Sequence, residues 1–174
     1  MNKEINKLDT VSKVLILCVL LITFANAYLH DPRVGYDADD YAAYITTIAQ
    51  GRLPEIGEND EFFTPPLPFV LPALVEVIFS PSDFLLLKIA QFINVFIAFG
   101  SILTLTRISN RISNGNDHSR NLALLFILCL PVFYKTHAFV RAEPYLLLFI
   151  LLYVEQIIRI SNETLSVTKF SIFS

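Results

Sequence analysis

Leu67–Phe79, LPFVLPALVEVIF, is the stretch on which the fold turns. It is apolar apart from Glu76 and contains Pro68 and Pro72. A transmembrane helix needs about 20 mostly apolar residues, and this run has about 13. Its length fits an interfacial or re-entrant helix better than a crossing one. If it crossed, every segment after it would change sides of the membrane. Basic residues decide the matter, because Lys and Arg accumulate in cytoplasmic loops. Lys3, Lys7 and Lys13 precede the first long apolar run; Arg107, Arg111 and Arg120 follow the second; Arg159 and Lys169 follow the last. With Leu67–Phe79 at the surface, all three basic segments share one side. With it crossing, Arg107–Arg120 would face the other way.

Outward from this stretch, four longer apolar runs are expected to span: residues 14–29, 84–106, 122–140 and 145–160. The second, FLLLKIAQFINVFIAFGSILTLT, would be about 34 Å long at 1.5 Å per residue. Asp83 is its expected N-cap. Pro144 breaks the pattern between the last two and marks a turn or a first helical position. Asn114-Gly115-Asn116 reads as a turn on the basic side. The expectation is an all-α membrane protein, a single membrane domain over residues 1–174. About four transmembrane helices would be joined by an extracytoplasmic loop, 30–83, that carries juxtamembrane amphipathic or re-entrant helices. Both termini would be cytoplasmic, in a plasma or inner membrane, or in the endoplasmic reticulum of a eukaryote.

Composition agrees. Of 174 residues, 54% are hydrophobic and 17% charged, against about 45–50% and about 25% in soluble domains. Such hydrophobicity excludes general disorder. A net charge of −3 leaves no basic surface for nucleic acid. Cys18 and Cys129 lie in apolar runs with no metal-ligand spacing, and read as small hydrophobes.

The outward face carries the chemistry. The loop is acidic, with Asp31, Asp37, Asp39, Asp40, Glu55, Glu58, Asp60, Glu61, Glu76 and Asp83 against Arg33 and Arg52. Asp37–Gln50 reads as a short amphipathic helix closed by Gly51. Three-to-four spacing puts Asp37, Asp40 or Tyr41, Tyr44 and Ile48 on one face. Asp37 and Asp40 then either point together into a cleft or merely complement the helix dipole. Glu143 lies in the short turn between the third and fourth spans, on the same side by the charge rule. It is either a local partner of Arg141 or part of a site. Lys88, Lys135, His137 and Arg141 lie near outer span ends, where few cations are expected. They either snorkel or form a patch for a lipid-linked phosphate. His30 and His137 could meet at this face.

Three segments resemble a known family. They are Gly35-Tyr36-Asp37-Ala38-Asp39-Asp40-Tyr41-Ala42-Ala43-Tyr44-Ile45, then Gly51-Arg52-Leu53-Pro54, then Glu61-Phe62-Phe63-Thr64-Pro65-Pro66-Leu67. Together they resemble the first extracytoplasmic loop of type C glycosyltransferases, polytopic enzymes of the protein O-mannosyltransferase and aminoarabinose-transferase type. The region Pro131 to Pro144, with Arg141-Ala142-Glu143, is similar to their second acidic loop. Thr64 stands where His or Gln is common before Pro-Pro, and Tyr41 where many members have His. The resemblance implies transfer of a sugar from a polyprenyl phosphate to an acceptor hydroxyl or amine, with inversion. It implies Asp37 as general base with Asp40 as the substitute, and Glu143 to orient acceptor or metal. Arg141 and Lys135 would hold the lipid phosphate, and Leu67–Phe79 would line a groove for the polyprenyl chain. A divalent Mg or Mn ion, if used, would sit on Asp37 and Glu143; no other cofactor is expected. Family members have more spans, so the chain is expected to be the N-terminal part of a larger enzyme, either a truncated product or one half of a split gene whose second polypeptide supplies the missing spans. The competing reading is a non-catalytic membrane subunit or transporter fragment using carboxylates as an ion path. A transporter should carry its acids within spans, whereas the expectation here is that they cluster in the loop.

Overall fold

Two polar clusters, one around Arg120 and one around Lys88, mark the two ends of the bundle. The computed structural model describes residues 8–34 and 37–172, with side-chain surroundings up to Ser161. Lys3, Lys7, Gly35, Tyr36 and the side chain of Lys169 lie outside the described residues. Seven helices occur among those described: α1 Thr10–Leu29, α2 Ala38–Ala49, α3 Leu67–Phe79, α4 Asp83–Ile112, α5 Asp117–Leu128, α6 Pro131–Ala138 and α7 Glu143–Ile172. At one end, the start of α1 meets the start of α5, where Arg120 Nη2 donates to Asp9 at 2.7 Å. At the other, Lys88 near the start of α4 donates to the last carbonyls of α1.

Three helices are long and apolar enough to cross a membrane: α1, α4 and the Glu143–Ser161 part of α7. The chain is an all-helical membrane protein. The apolar run expected to span at 122–140 is instead broken into α5 and α6, bent by 62°. Pro131 explains the break. It lacks an N–H to continue the ladder, and it forces the residue before it out of helical geometry. Leu130 is accordingly extended, at φ −100° and ψ 94°. Counted as one bent span, α5 and α6 restore the expected total of four.

Local sequence explains the other helix ends. Asp9 accepts the Ser12 N–H at 3.1 Å and so caps α1. Asn116 accepts from the His118 N–H at 2.9 Å and caps α5. Ser82, not Asp83, occupies the N-cap position of α4, and Asp83 sits in its first turn, where a carboxylate suits the positive end of the helix dipole. Gly51 follows α2 at φ +82°, a conformation that a Cβ would oppose. Asn114 and Gly115 take positive φ in the expected turn. Helix α3 covers Leu67–Phe79, begins on Pro residues that need no helical N–H, and is too short to cross.

Helix α4 is the central post. Of its most apolar window 44% is buried, against 22% in α1 and 17% in α7. It buries a polar row of Gln91, Asn94, Ser101, Thr104 and Thr106 along with Leu86, Leu87, Ala90 and Ala98. One apolar cluster joins α2, α3 and the start of α4 through Tyr41, Tyr44, Ile45, Phe69, Leu86 and Leu87. A second joins α1, α4, α5 and α6 through Ile16, Val19, Ile102, Leu124 and Phe133. Exposed Leu17, Leu21 and Phe24 of α1, and Leu146, Phe149, Ile150 and Tyr153 of α7, form outward apolar faces. Large exposed apolar faces of this kind suit lipid rather than water.

Three cations are used differently from expectation. Lys88 neither snorkels nor joins an anion patch. Its Nζ lies 2.7, 3.1 and 2.6 Å from the carbonyls of Ala27, Tyr28 and His30, and 3.0 Å from Gln91 Oε1. It thus satisfies the orphan carbonyls and the negative dipole end of α1. Arg120 is not a solvated loop residue: it is 3% exposed. It donates to Ser12, Asn110, Asp9 and Asp117, tying α1, α4 and α5 together. Arg107 forms a two-bond pair with Glu155 of α7, at 2.8 and 2.9 Å. Acids are therefore not confined to the loop, because Glu155, only 8% exposed, lies within a span.

Candidate functional site

At the Lys88 end of the bundle, a cavity of about 410 Å³ opens between the start of α2, the segment leading into α3, and the start of α7. Asp37, Glu61 and Glu143 line it together with Tyr41, Thr64 and Tyr145. Its apolar wall is built from Phe63, Leu67, Pro68, Leu146 and Phe149. Residues 37 and 143 come together although most of the chain separates them.

Each wall has an identifiable support. Tyr41 and Tyr44 pack their rings on Phe69, with centroids 5.2 and 4.8 Å apart, which seats α2 on α3. The Tyr44 hydroxyl donates to the Thr64 carbonyl at 2.7 Å and fixes the segment before α3. The Thr64 hydroxyl donates to the Glu61 carboxylate, and the Thr64 N–H donates to the Glu61 carbonyl at 2.9 Å. Across the cavity, the buried Asn94 amide of α4 donates to the carbonyls of Phe139 and Arg141 at 2.8 and 3.2 Å. Those bonds hold the non-helical crossing from α6 to α7 and so place Glu143.

Charge in the cavity is unbalanced. Arg141 reaches Glu143 at 3.3 Å and lies 5.8 Å over the Phe139 ring. Asp37 is the N-cap residue of α2, yet its side chain makes no capping hydrogen bond. Tyr41 registers the surrounding charge. Burial pushes its phenol well above the ordinary value, and Glu61, Glu143 and Asp37 push it further while Arg141 opposes them. All four charged groups are therefore close enough to act on one hydroxyl.

Of the residues expected at a site, Asp37 and Glu143 meet in this cavity, while Arg141 stands outside the lining and touches it only through its 3.3 Å pair with Glu143. Asp40 does not line it; its carboxylate accepts the Asp60 N–H at 3.4 Å instead. Asp37 precedes α2 at φ −108° and ψ 12°, outside helical geometry, so the helical three-residue spacing does not carry from it to Asp40. Lys135 is exposed on α6 and is absent from the lining. His30 packs edge-on against Phe139, whereas His137 is buried with Nδ1 bonded to the Phe133 carbonyl. Among the described residues, no three His, Cys, Asp or Glu side chains are grouped to hold a metal ion. Asp37 and Glu143 remain a two-carboxylate set, which suits Mg²⁺ or Mn²⁺ only with substrate or water oxygens completing the shell.

Sequence reading missed Glu61, Tyr41 and Tyr145 as site residues. Glu61 had a signal, since it stands just before the Pro-rich start of α3 within the family-like segment. Tyr145 had none beyond its place at the end of a span, where aromatic residues are common.

A second cavity, about 510 Å³, lies on the other side of α2 between Asp39, Arg33, Arg52 and Asp83. Its cations are already engaged. Arg33 pairs with Asp31 through two bonds, at 3.2 and 3.1 Å, and Arg52 with Glu58 at 2.7 and 2.6 Å. The Arg52 guanidinium, aided by the Glu55 N–H, holds the Glu58 carboxyl down at about 2. The first cavity, where Asp37 is not spent on helix capping and an apolar wall adjoins the carboxylates, is the better candidate for ligand chemistry. No family model, curated protein or solved structure matches the chain.

Proposed function

We propose that the chain is a membrane glycosyltransferase module that takes its sugar from a polyprenyl-phosphate donor on the extracytoplasmic face. The observation that carries this reading is the meeting of Asp37 and Glu143 in one cavity with an apolar wall. The side is assigned from the basic segments at the opposite end, with both termini cytoplasmic.

Asp37 is the general base. Its carboxylate is not spent on helix capping, and it faces the space an acceptor would fill. The acceptor hydroxyl or amine gives its proton to Asp37 as its oxygen or nitrogen attacks the anomeric carbon. The bond from that carbon to the phosphate oxygen breaks, and the configuration inverts. Positioned proton transfer of this kind contributes about 10² to 10⁴-fold. Arg141 stabilises the departing phosphate, and Glu143 holds Arg141 in place through their 3.3 Å pair. A divalent ion on Asp37 and Glu143, where bound, would supply further charge neutralisation at the phosphate. Leu67, Leu146 and Phe149 supply an apolar approach for the lipid chain.

The ion-path alternative draws on Glu155, an acid inside a span. That carboxylate is bound to Arg107 through both oxygens, which makes it a structural tie and a poor carrier.

The test uses the protein in lipid nanodiscs. Polyprenyl-phosphate hexose should bind in preference to polyprenyl alcohol, and Arg141→Gln should erase that preference. Asp37→Asn should keep donor binding and lose transfer in native membranes. Equal binding of the phosphate and the alcohol, or wild-type transfer by both Asp37→Asn and Glu143→Gln, overturns the proposal.

A further inference from the structure

Along α4, Lys88 and Arg107 stand 19 positions apart, about 28 Å at 1.5 Å per residue. That is close to the roughly 30 Å of a bilayer's hydrocarbon core. Lys88 binds the end of α1 at one edge, so Arg107 stands at the other. Arg111, one helical turn further, lies at the depth of lipid headgroups. The neighbouring surface agrees. On α7, exposed Tyr153 and Ile157 flank the level of Glu155, and on α4 Ile112 is exposed beside Arg111. Apolar side chains left open on both helices put lipid, and not only water, around this cluster.

The charges at this level do not cancel. Glu155 gives both carboxylate oxygens to Arg107, at 2.8 and 2.9 Å. Arg111 approaches the same carboxylate only to 3.8 Å, beyond hydrogen-bond length. Its guanidinium makes no hydrogen bond among the described residues, and its side chain is 36% exposed. Arg120, at the same end of the bundle, is by contrast spent on Asp9, Ser12, Asn110 and Asp117. Two arginines therefore share one carboxylate, and the second keeps its charge and its donors. A guanidinium fork matches the oxygens of a phosphate. Glu155 is nearly buried and turned to Arg107, so it offers such a phosphate little repulsion.

We infer that Arg111 binds the headgroup phosphate of an anionic phospholipid, in the leaflet at the Arg120 end of the bundle. An anionic lipid fits better than a zwitterionic one, because a choline or ethanolamine headgroup would bring its own cation to a surface that already has one in excess. The site lies at the opposite end from the carboxylate cavity and does not depend on the chemistry proposed there.

The test counts lipids retained by the detergent-purified protein in native mass spectrometry, with phosphatidylglycerol and phosphatidylcholine of equal chain length. Wild type should prefer phosphatidylglycerol. Arg111→Gln should lower that preference about fivefold, the effect of one cation at a membrane surface, and Arg111→Lys should lower it less. Lys13→Gln removes an exposed cation at the same end and should leave the preference intact. Arg111→Gln spares the Arg107–Glu155 pair, so its thermal stability in phosphatidylcholine micelles should match wild type. The additional stabilisation by phosphatidylglycerol, a mass-action effect of binding to the folded state, should be lost. A wild type without preference, or an Arg111→Gln protein that keeps it, overturns the inference. Equal losses in Arg111→Gln and Lys13→Gln would show diffuse attraction in place of a site. Displacement of phosphatidylglycerol by millimolar inorganic phosphate would assign the site to a soluble anion and overturn its lipid occupant.

Discussion

Replacing Lys88 by Met keeps the aliphatic stem and removes the ammonium that ties α1 to α4. The ammonium serves four acceptors: the carbonyls of Ala27, Tyr28 and His30, and Gln91 Oε1. The Tyr28 and His30 carbonyls lie at the exposed edge and can turn to water, so their loss costs little. The Ala27 carbonyl and the Gln91 amide are more enclosed, and each group left unsatisfied costs about 1–3 kcal/mol. Together they predict a loss of about 3 kcal/mol, roughly a hundredfold in the folded-to-unfolded ratio. Lys88→Arg should recover less than half, because a planar guanidinium cannot aim three donors at carbonyls converging on one point. The assay is reversible unfolding in mixed micelles, read by steric trapping with labels on α1 and α4. A Lys88→Met loss below about 0.5 kcal/mol would refute the capping argument and return Lys88 to a snorkelling role. Unchanged stability with lost donor binding would make it a phosphate ligand instead.

Three other outcomes follow from the same physics. Glu155→Gln leaves Arg107 an amide oxygen and the Thr104 hydroxyl in place of the carboxylate and should cost about 1–3 kcal/mol, the loss of the charge-assisted part of the pair, whereas the double change Arg107→Met with Glu155→Leu should be near neutral, as a double-mutant cycle will show. The Asp9 carboxyl is held well below its ordinary range by bonds from Ser12, Asn121 and Arg120. A depressed folded-state value means that its stabilisation is complete above the unfolded value of about 3.9 and fades as pH falls below it. Asp9→Asn should therefore flatten the acid limb of a stability–pH curve. Pro131→Ala restores a backbone donor at the α5–α6 break, and spin labels at Leu122 and Thr136 should move apart as the 62° bend opens.

Some of the fold was legible because apolar length and backbone punctuation are local. Leu67–Phe79 announced a short helix by its length and its prolines, and α2 announced its end through Gly51. The bend within 122–140 was not legible from hydropathy, which counts side chains and ignores the ladder that Pro131 interrupts. The roles of Lys88 and Glu155 were hidden for another reason. Their partners sit about 60 and 48 positions away, and a charge inside an apolar run reads as exposed until its partner is known. The site shows the same division. Asp37 and Glu143 could be matched through the sidedness of the chain, which needs no contact detail. Asp40 was paired with Asp37 by helical spacing, and that failed because the helix begins one residue after Asp37. Tyr145 became visible only once the start of α7 was seen in the cavity wall.

The juxtaposition of residues 37 and 143 is tested most directly by cross-linking. In a protein with Cys18 and Cys129 changed to Ala, cysteines at 37 and 143 should be joined rapidly by a short bifunctional thiol reagent in native membranes. Added polyprenyl-phosphate hexose should slow that reaction, and a 40/143 pair should join far more slowly. Failure of the 37/143 pair to join, with each cysteine still reactive alone, would contradict a shared cavity and the chemistry assigned to it.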